Sequence, residues 1–153
     1  MENLFDEDNT TSLSVRELLA TLTQGLPSAA AWVLCEPVEL ISGKQDVVCL
    51  GNAHLDFAQE EADAVVATIN AYWEGTGRQL YAVSPLQWVM ALSEPIMAET
   101  KPLREALNRP VGALSAAWDK LFTETQMLLQ GHAVNRARSG VLPPINGLWF
   151  SVG

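Results

Sequence analysis

Histidine is scarce in this chain, with His54 and His132 the only two among 153 residues. A hydrolytic metal centre commonly uses several His and Asp ligands at set spacings, and no HxH, HxxxH or HExxH pattern occurs. The GxGxxG and Walker phosphate loops and the GxSxG nucleophile elbow are also absent from the sequence. The sequence therefore predicts no metal, no cofactor and no catalytic residue, and it favours a non-catalytic chain over an enzyme.

Cysteine is equally rare. Cys35 and Cys49 each lie in an apolar run, and they do not form a CxxC pair. Two cysteines are too few for a disulfide framework, and free cysteine is among the most buried residue types. We expect both to be packed, reduced thiols.

Basic side chains are half as numerous as acidic ones, 9 against 18, for a formal net charge of −9. Residues 1–77 hold 13 acids and 2 bases, whereas residues 78–153 hold 5 acids and 7 bases. Binding nucleic acid requires clustered Lys and Arg, so we expect no nucleic-acid partner, although the C-terminal half could hold a small anion. Long apolar runs and a signal peptide are lacking, which predicts a cytoplasmic protein without a membrane span.

Apolar side chains make up 48% of the sequence, enough for one core in a chain of this length. We expect an acidic, flexible N-terminus over residues 1–12 and a single α+β domain over residues 13–153. A capping box at Ser14–Glu17 predicts a first short helix. Apolar residues at helical spacing predict two longer helices, from Asp56 or Phe57 to Gly75 or Gly77 and from Leu114 to Gly131. Shorter helices are predicted over Pro102–Leu107 and Ala133–Arg138.

Short apolar runs between turn residues predict a mostly antiparallel sheet, on which these helices pack. Glu36 and Pro37 are expected to interrupt it, since proline cannot donate to a strand ladder. A hairpin is expected around residues 42–45. The predicted strands are Trp32–Cys35, Val38–Ile41, Asp46–Leu50, Gln79–Val83, Gln87–Leu92 and Ile145–Val152.

Polar and basic side chains concentrate near the C-terminus. In a helix over Ala133–Arg138, His132 and Arg136 lie four residues apart and Asn135 and Arg138 three apart, so their side chains are neighbours. The planar arginine fork suits carboxylate and phosphate groups. The alternative is that His132 and Asn135 cap the preceding helix while the arginines face water. The residues of the predicted anion site are Gln126, His132, Asn135, Arg136, Arg138 and Asn146.

Three segments, Gln126–Leu129, His132–Arg138 and Leu142–Phe150, resemble a largely uncharacterised proteobacterial family. Its members run QMLLH-x-HPVN-x-AR-x-x-x-G-x-PPVNSLWFWGGG and are described as cofactor-independent phosphoglycerate mutase-like or as regulatory proteins. Glu36–Leu40 and Gly77–Tyr81 are similar to its DPVHL and GRWYL segments. The archaeal-type mutases need a two-metal core, for which this chain has no residues. Because the Gly-rich turn after LWFW is also missing, the resemblance implies a shortened member or a fragment.

These observations favour a non-catalytic, regulatory domain that binds a small anionic metabolite or a protein partner through residues 126–146. One alternative is the substrate-side portion of a phosphoglycerate mutase-like enzyme, which would need residues outside this chain. Another is a protein-interaction module. In it, an exposed apolar strand over residues 145–152 would pair with a second copy or another protein.

Overall fold

A six-stranded sheet with helices on both faces forms the centre of the fold. The computed structural model describes residues 14–42 and 46–152. The predicted N-terminus, residues 1–12, and the hairpin turn at residues 43–45 lie outside the described residues. The helices are α1 Val15–Leu22, α2 Gln59–Tyr72, α3 Leu103–Ala106, α4 Ala116–Gln130 and α5 Ala133–Arg138. The strands are β1 Ala31–Ser42, β2 Val47–Gly51, β3 Arg78–Ser84, β4 Gln87–Leu92, β5 Arg109–Pro110 and β6 Gly147–Ser151.

The sheet has the strand order β3-β4-β1-β2-β5, with β6 also paired to β1. Each of these strand pairs is antiparallel. The α+β class, with two longer helices and several short ones on a mostly antiparallel sheet, is therefore confirmed.

Strand β1 is continuous through Pro37, so the predicted interruption there is wrong. The Val38 carbonyl accepts from Asn146 N–H on the β6 side, at 3.2 Å. Because successive main-chain groups of a strand point to opposite edges, those of Pro37 face the other edge. On that edge the pairing with β4 ends at Cys35, and the β2 partners begin only at Glu39. The missing proline N–H therefore costs the sheet no hydrogen bond.

Local sequence signals set most helix boundaries. The capping box is confirmed, since Ser14 Oγ accepts from Glu17 N–H at 3.1 Å and the Glu17 carboxylate accepts from Ser14 N–H at 3.2 Å. Helix α2 begins at Gln59, later than predicted, because Asp56 has a φ of 46° that an α-helix excludes. Across residues 14–42 and 46–152, no helix is long and apolar enough to cross a membrane.

The main core lies between the sheet and the two longer helices. Val33 and Cys35 of β1 face this core and are joined there by Ile69 of α2 and Leu121 of α4. Alternate residues of a strand point to opposite faces, so Leu34 faces the other side, where α1 covers it. Both cysteines are buried, as predicted.

Strand β6 is enclosed, so the predicted exposure of the C-terminal strand is wrong. All five of its residues are buried. Besides pairing with β1, the end of β6 is held by the loop between β4 and α3. Thr100 Oγ1 accepts from Val152 N–H at 2.9 Å, and the Lys101 carbonyl accepts from the Trp149 indole N–H at 2.8 Å. Pairing of residues 145–152 with another chain stays a prediction, without the exposed edge that motivated it.

Candidate functional site

Two of the predicted anion-site residues hold main-chain groups instead. The Asn135 amide accepts from Ile145 N–H at 2.8 Å and donates to the Ile145 carbonyl at 2.7 Å. Asn146 does the same with Leu40, accepting at 2.6 Å and donating at 2.9 Å. Each side chain thus brackets both polar groups of one residue, as a neighbouring strand would.

A third asparagine repeats this arrangement between α2 and β3. Asn70 of α2 accepts from Leu80 N–H at 2.7 Å and donates to the Leu80 carbonyl at 3.0 Å. We call the three pairs, Asn70–Leu80, Asn135–Ile145 and Asn146–Leu40, the asparagine clamps. Their common geometry gives the C-terminal polar motif a structural role.

Arg138 is buried, with 2% of its surface exposed. Its guanidinium donates to the main-chain carbonyls of Pro143, Asp56 and Leu55 and to the Glu61 carboxylate, and it lies 5.3 Å from the Phe57 ring centre. The alternative that both arginines face water is therefore wrong for Arg138. Because these contacts use its donors, Arg138 joins the end of α5 to the turn before α2.

The other three predicted residues are His132, Arg136 and Gln126. Their side chains make no hydrogen bond to the side chains of Asn135, Asn146 or Arg138. His132 caps α5, accepting from Val134 N–H through Nδ1 at 3.0 Å, and its Nε2 lies 2.9 Å from Thr68 Oγ1. Arg136 is exposed and donates to the Gly131 carbonyl. Gln126 is half-buried. Binding of an anion at the six residues stays a prediction. Asn135, Asn146 and Arg138 already donate to acceptors within the chain, whereas Arg136 is exposed to solvent.

A cavity of about 280 Å³ lies elsewhere, between the start of α4, the end of β6 and the loop before α3. Two pairs of aromatic rings line it. Trp118 and Phe150 stack with ring centres 6.0 Å apart, and Phe122 meets Trp149 edge to face at 6.2 Å. All four side chains are buried, so packing fixes the wall. We call this space the aromatic cavity.

The mouth of the aromatic cavity carries polar groups, Glu99, Thr100, Lys101 and Ser115. Lys101 is half-buried, and its ammonium has no hydrogen bond or ion pair to another described residue. Ser115 precedes α4 as its N-cap, yet its hydroxyl makes no capping hydrogen bond. The mouth therefore offers a cation and a hydroxyl that are available to a ligand.

Sequence reasoning missed this cavity. Trp118 and Phe122 were visible as neighbours one helical turn apart, and Trp149 and Phe150 as part of an apolar strand. The residues of the mouth lie in loops with no periodicity, so nothing local connected Lys101 to the four rings. The spacing of aromatic residues on α4 was the signal that could have pointed to it.

A second feature of interest, a carboxyl group with a raised pKa, lies on the paired strands β1 and β6. Burial raises the pKa of the Glu36 carboxyl from 4.5 to about 7. Leu34 pairs with Ser151 and Glu36 with Trp149, so Glu36 and Ser151 are diagonal neighbours on one face. The Ser151 hydroxyl is buried and finds no hydrogen-bond partner within the described part of the chain. Burial and the nearby Glu36 also raise the pKa of the Cys35 thiol.

Metal-binding geometry is lacking among residues 14–42 and 46–152, where no three His, Cys, Asp or Glu side chains are grouped to hold an ion.

The chain matches no family model, and no curated protein matches it. Among solved structures it is similar to the cofactor-independent phosphoglycerate mutase from Thermoplasma acidophilum DSM 1728. The TM-score is 0.55 at 16% sequence identity, over 94% of this chain and 42% of that one. The two proteins share a fold over this region, and the chain spans less than half the length of the mutase.

Proposed function

We propose that this chain is a non-catalytic domain that binds a small metabolite through an anionic group, and that the ligand occupies the aromatic cavity. The observation that carries the proposal is Lys101, a half-buried residue at the mouth of an apolar space, whose accessible ammonium has no acceptor among the described residues. An accessible ammonium without a partner of opposite charge can bind an anion. A carboxylate or phosphate on the ligand would provide that partner.

The site has the usual composition of a small-molecule pocket, which combines apolar and aromatic walls with a few polar groups that fix orientation. The start of α4 adds the positive end of a 15-residue helix on the same side as Lys101. By contrast, Asn135, Asn146 and Arg138 of the C-terminal polar motif already donate hydrogen bonds to main-chain carbonyls. The aromatic cavity is therefore the better candidate for the predicted anion site.

Calorimetric titration of the full chain with benzoate, 3-phenylpropanoate, inorganic phosphate and 3-phosphoglycerate tests this proposal. We expect at least one to bind, and Lys101→Met to weaken it by about 1.5–3 kcal/mol, the usual contribution of a hydrogen bond to a charged group. Arg16→Met removes the same charge from the exposed face of α1 and is the matched control. Equal binding by wild type and Lys101→Met, or no binding of any probe, contradicts the proposal.

A second candidate function is the substrate-side portion of a phosphoglycerate mutase-like enzyme. The observation in its favour is the shared fold with the Thermoplasma acidophilum mutase over nearly the whole of this chain. Elemental analysis of the purified chain, followed by a mutase assay with added manganese, separates the two candidates. Turnover by this chain alone would favour the enzyme. Without turnover, a preference for 3-phosphoglycerate over the aromatic acids would favour the substrate-side portion, and the opposite preference would favour the non-catalytic domain.

A further inference from the structure

We infer that the ligand of the aromatic cavity is a zwitterion with an apolar body, of the class of the apolar α-amino acids. The inference rests on the proposed function and extends it to the role of Glu99. Three properties of the cavity lead to it: its volume, the chemistry of its walls, and the pair of opposite charges at its mouth.

The volume of the aromatic cavity suits a small ligand. At about 280 Å³, the aromatic cavity is slightly smaller than the roughly 300–1,000 Å³ typical of ligand pockets. A single amino acid or a small aromatic acid is of this size, whereas a nucleotide or a peptide is larger.

The walls require an apolar body. The Trp118 indole N–H donates to the Ala98 carbonyl at 3.1 Å, and the Trp149 indole N–H donates to the Lys101 carbonyl. Both indoles have therefore used their single donor. What the two rings present to the cavity, together with Phe122 and Phe150, is hydrocarbon and ring surface. A hydroxylated or phosphorylated ligand body would find no partner there, and burying its polar groups would cost binding energy.

The mouth carries charges of both signs. Glu99 and Lys101 both border the aromatic cavity, on either side of Thr100 in the chain. Neither side chain forms an ion pair with another described residue. A ligand with only negative charge would gain from Lys101 and be repelled by Glu99. A molecule with a carboxylate and an ammonium on one carbon satisfies both, which favours the amino acid over a phosphate or a plain carboxylic acid.

Two probes that differ only in the α-ammonium group test this inference, L-phenylalanine and 3-phenylpropanoate. Titration of the full chain, followed by tryptophan fluorescence because Trp118 and Trp149 form the wall, gives both dissociation constants. We expect wild type to bind L-phenylalanine at least tenfold more tightly. Glu99→Gln should weaken L-phenylalanine by about tenfold and leave 3-phenylpropanoate unchanged or slightly tighter. Glu74→Gln removes an exposed carboxylate at the end of α2 and should change neither constant.

The outcomes separate this inference from the proposed function. If 3-phenylpropanoate binds as well as L-phenylalanine and only Lys101→Met weakens it, the ligand is a simple carboxylate. The zwitterion inference is then wrong while the proposed function stands. If neither probe binds, the zwitterion inference is overturned, and the proposed function falls with it only if benzoate, phosphate and 3-phosphoglycerate also fail to bind. If both probes bind equally to wild type and to Lys101→Met, both are overturned. Equal weakening by Glu99→Gln and Glu74→Gln would assign the effect to overall charge and would also overturn the inference.

Discussion

Glu36 makes the stability of this domain depend on pH in a direction opposite to that of most carboxylates. Burial raises the pKa of its carboxyl from 4.5 to about 7, so between these values the folded state binds more protons than the unfolded state. Stability then falls as pH rises through this window and is level above it. At about 1.4 kcal/mol for each pH unit, the full loss is about 3 kcal/mol.

Glu36→Gln should remove this dependence, because glutamine has nearly the same shape and does not ionise. The expected result is a variant close to wild type below pH 4.5 and more stable than wild type by up to about 3 kcal/mol at pH 8. Urea unfolding at intervals from pH 4 to 8, followed by tryptophan fluorescence, gives the difference in unfolding free energy at each pH. Taking that difference cancels the contributions of the other titrating groups.

Glu74→Gln is the matched control, since it makes the same chemical change at an exposed position. It should follow the wild-type course with pH. The reasoning is refuted if Glu36→Gln differs from wild type by the same amount at pH 4.5 and at pH 8. It is also refuted if the variant is the less stable protein at pH 8, because the Glu36 carboxylate would then stabilise the fold.

Three further predictions concern stability. Arg138→Met should cost about 3–5 kcal/mol in urea unfolding, because it leaves buried carbonyls and a carboxylate without their donor, whereas Arg136→Met, at an exposed position, should cost less than about 1 kcal/mol; equal costs would contradict the assigned roles. Asn135→Asp should destabilise by about 3 kcal/mol at neutral pH, since an acceptor would face the Leu129 and Ile145 carbonyls, to which the Asn135 amide donates; an unchanged unfolding midpoint would contradict the clamp. Chelator and reductant together should leave the melting temperature unchanged, because Cys35 and Cys49 are buried free thiols; a drop of more than about 5 °C, roughly 1 kcal/mol, would count against this.

The elements that the sequence predicted well are those whose signals are local. The capping box at Ser14 and the bounds of α5 depend on residues within one or two turns of each other, and both are as predicted. The continuity of β1 was missed because the tolerance of Pro37 depends on where two other strands end and begin along its edge. That information lies some 50 residues away in β4 and cannot be read from the neighbours of the proline.

The candidate site shows the same limit. The predicted polar motif was found from residue types, but the partners of Asn135 and Asn146 are main-chain groups, which every residue carries and no pattern distinguishes. Lys101 lies beside the four aromatic rings only because α4 and β6 pack together, which its sequence neighbours do not show. Polar side chains that have hydrogen-bond partners within the fold and those that have none therefore look alike in sequence. Only the positions of their acceptors separate them.

The asparagine clamps also bear on the order in which the chain folds. Two of them join residues 10 apart, Asn70 with Leu80 and Asn135 with Ile145, while Asn146 joins Leu40 across 106 residues. Closing the longer loop costs about 2 kcal/mol more in chain entropy. We expect the local clamps to form before the folding barrier and the distant one after it. Asn70→Ala should then slow refolding in stopped-flow experiments, whereas Asn146→Ala should mainly speed unfolding; the reverse pattern would mean that the C-terminal strand docks early and nucleates the sheet.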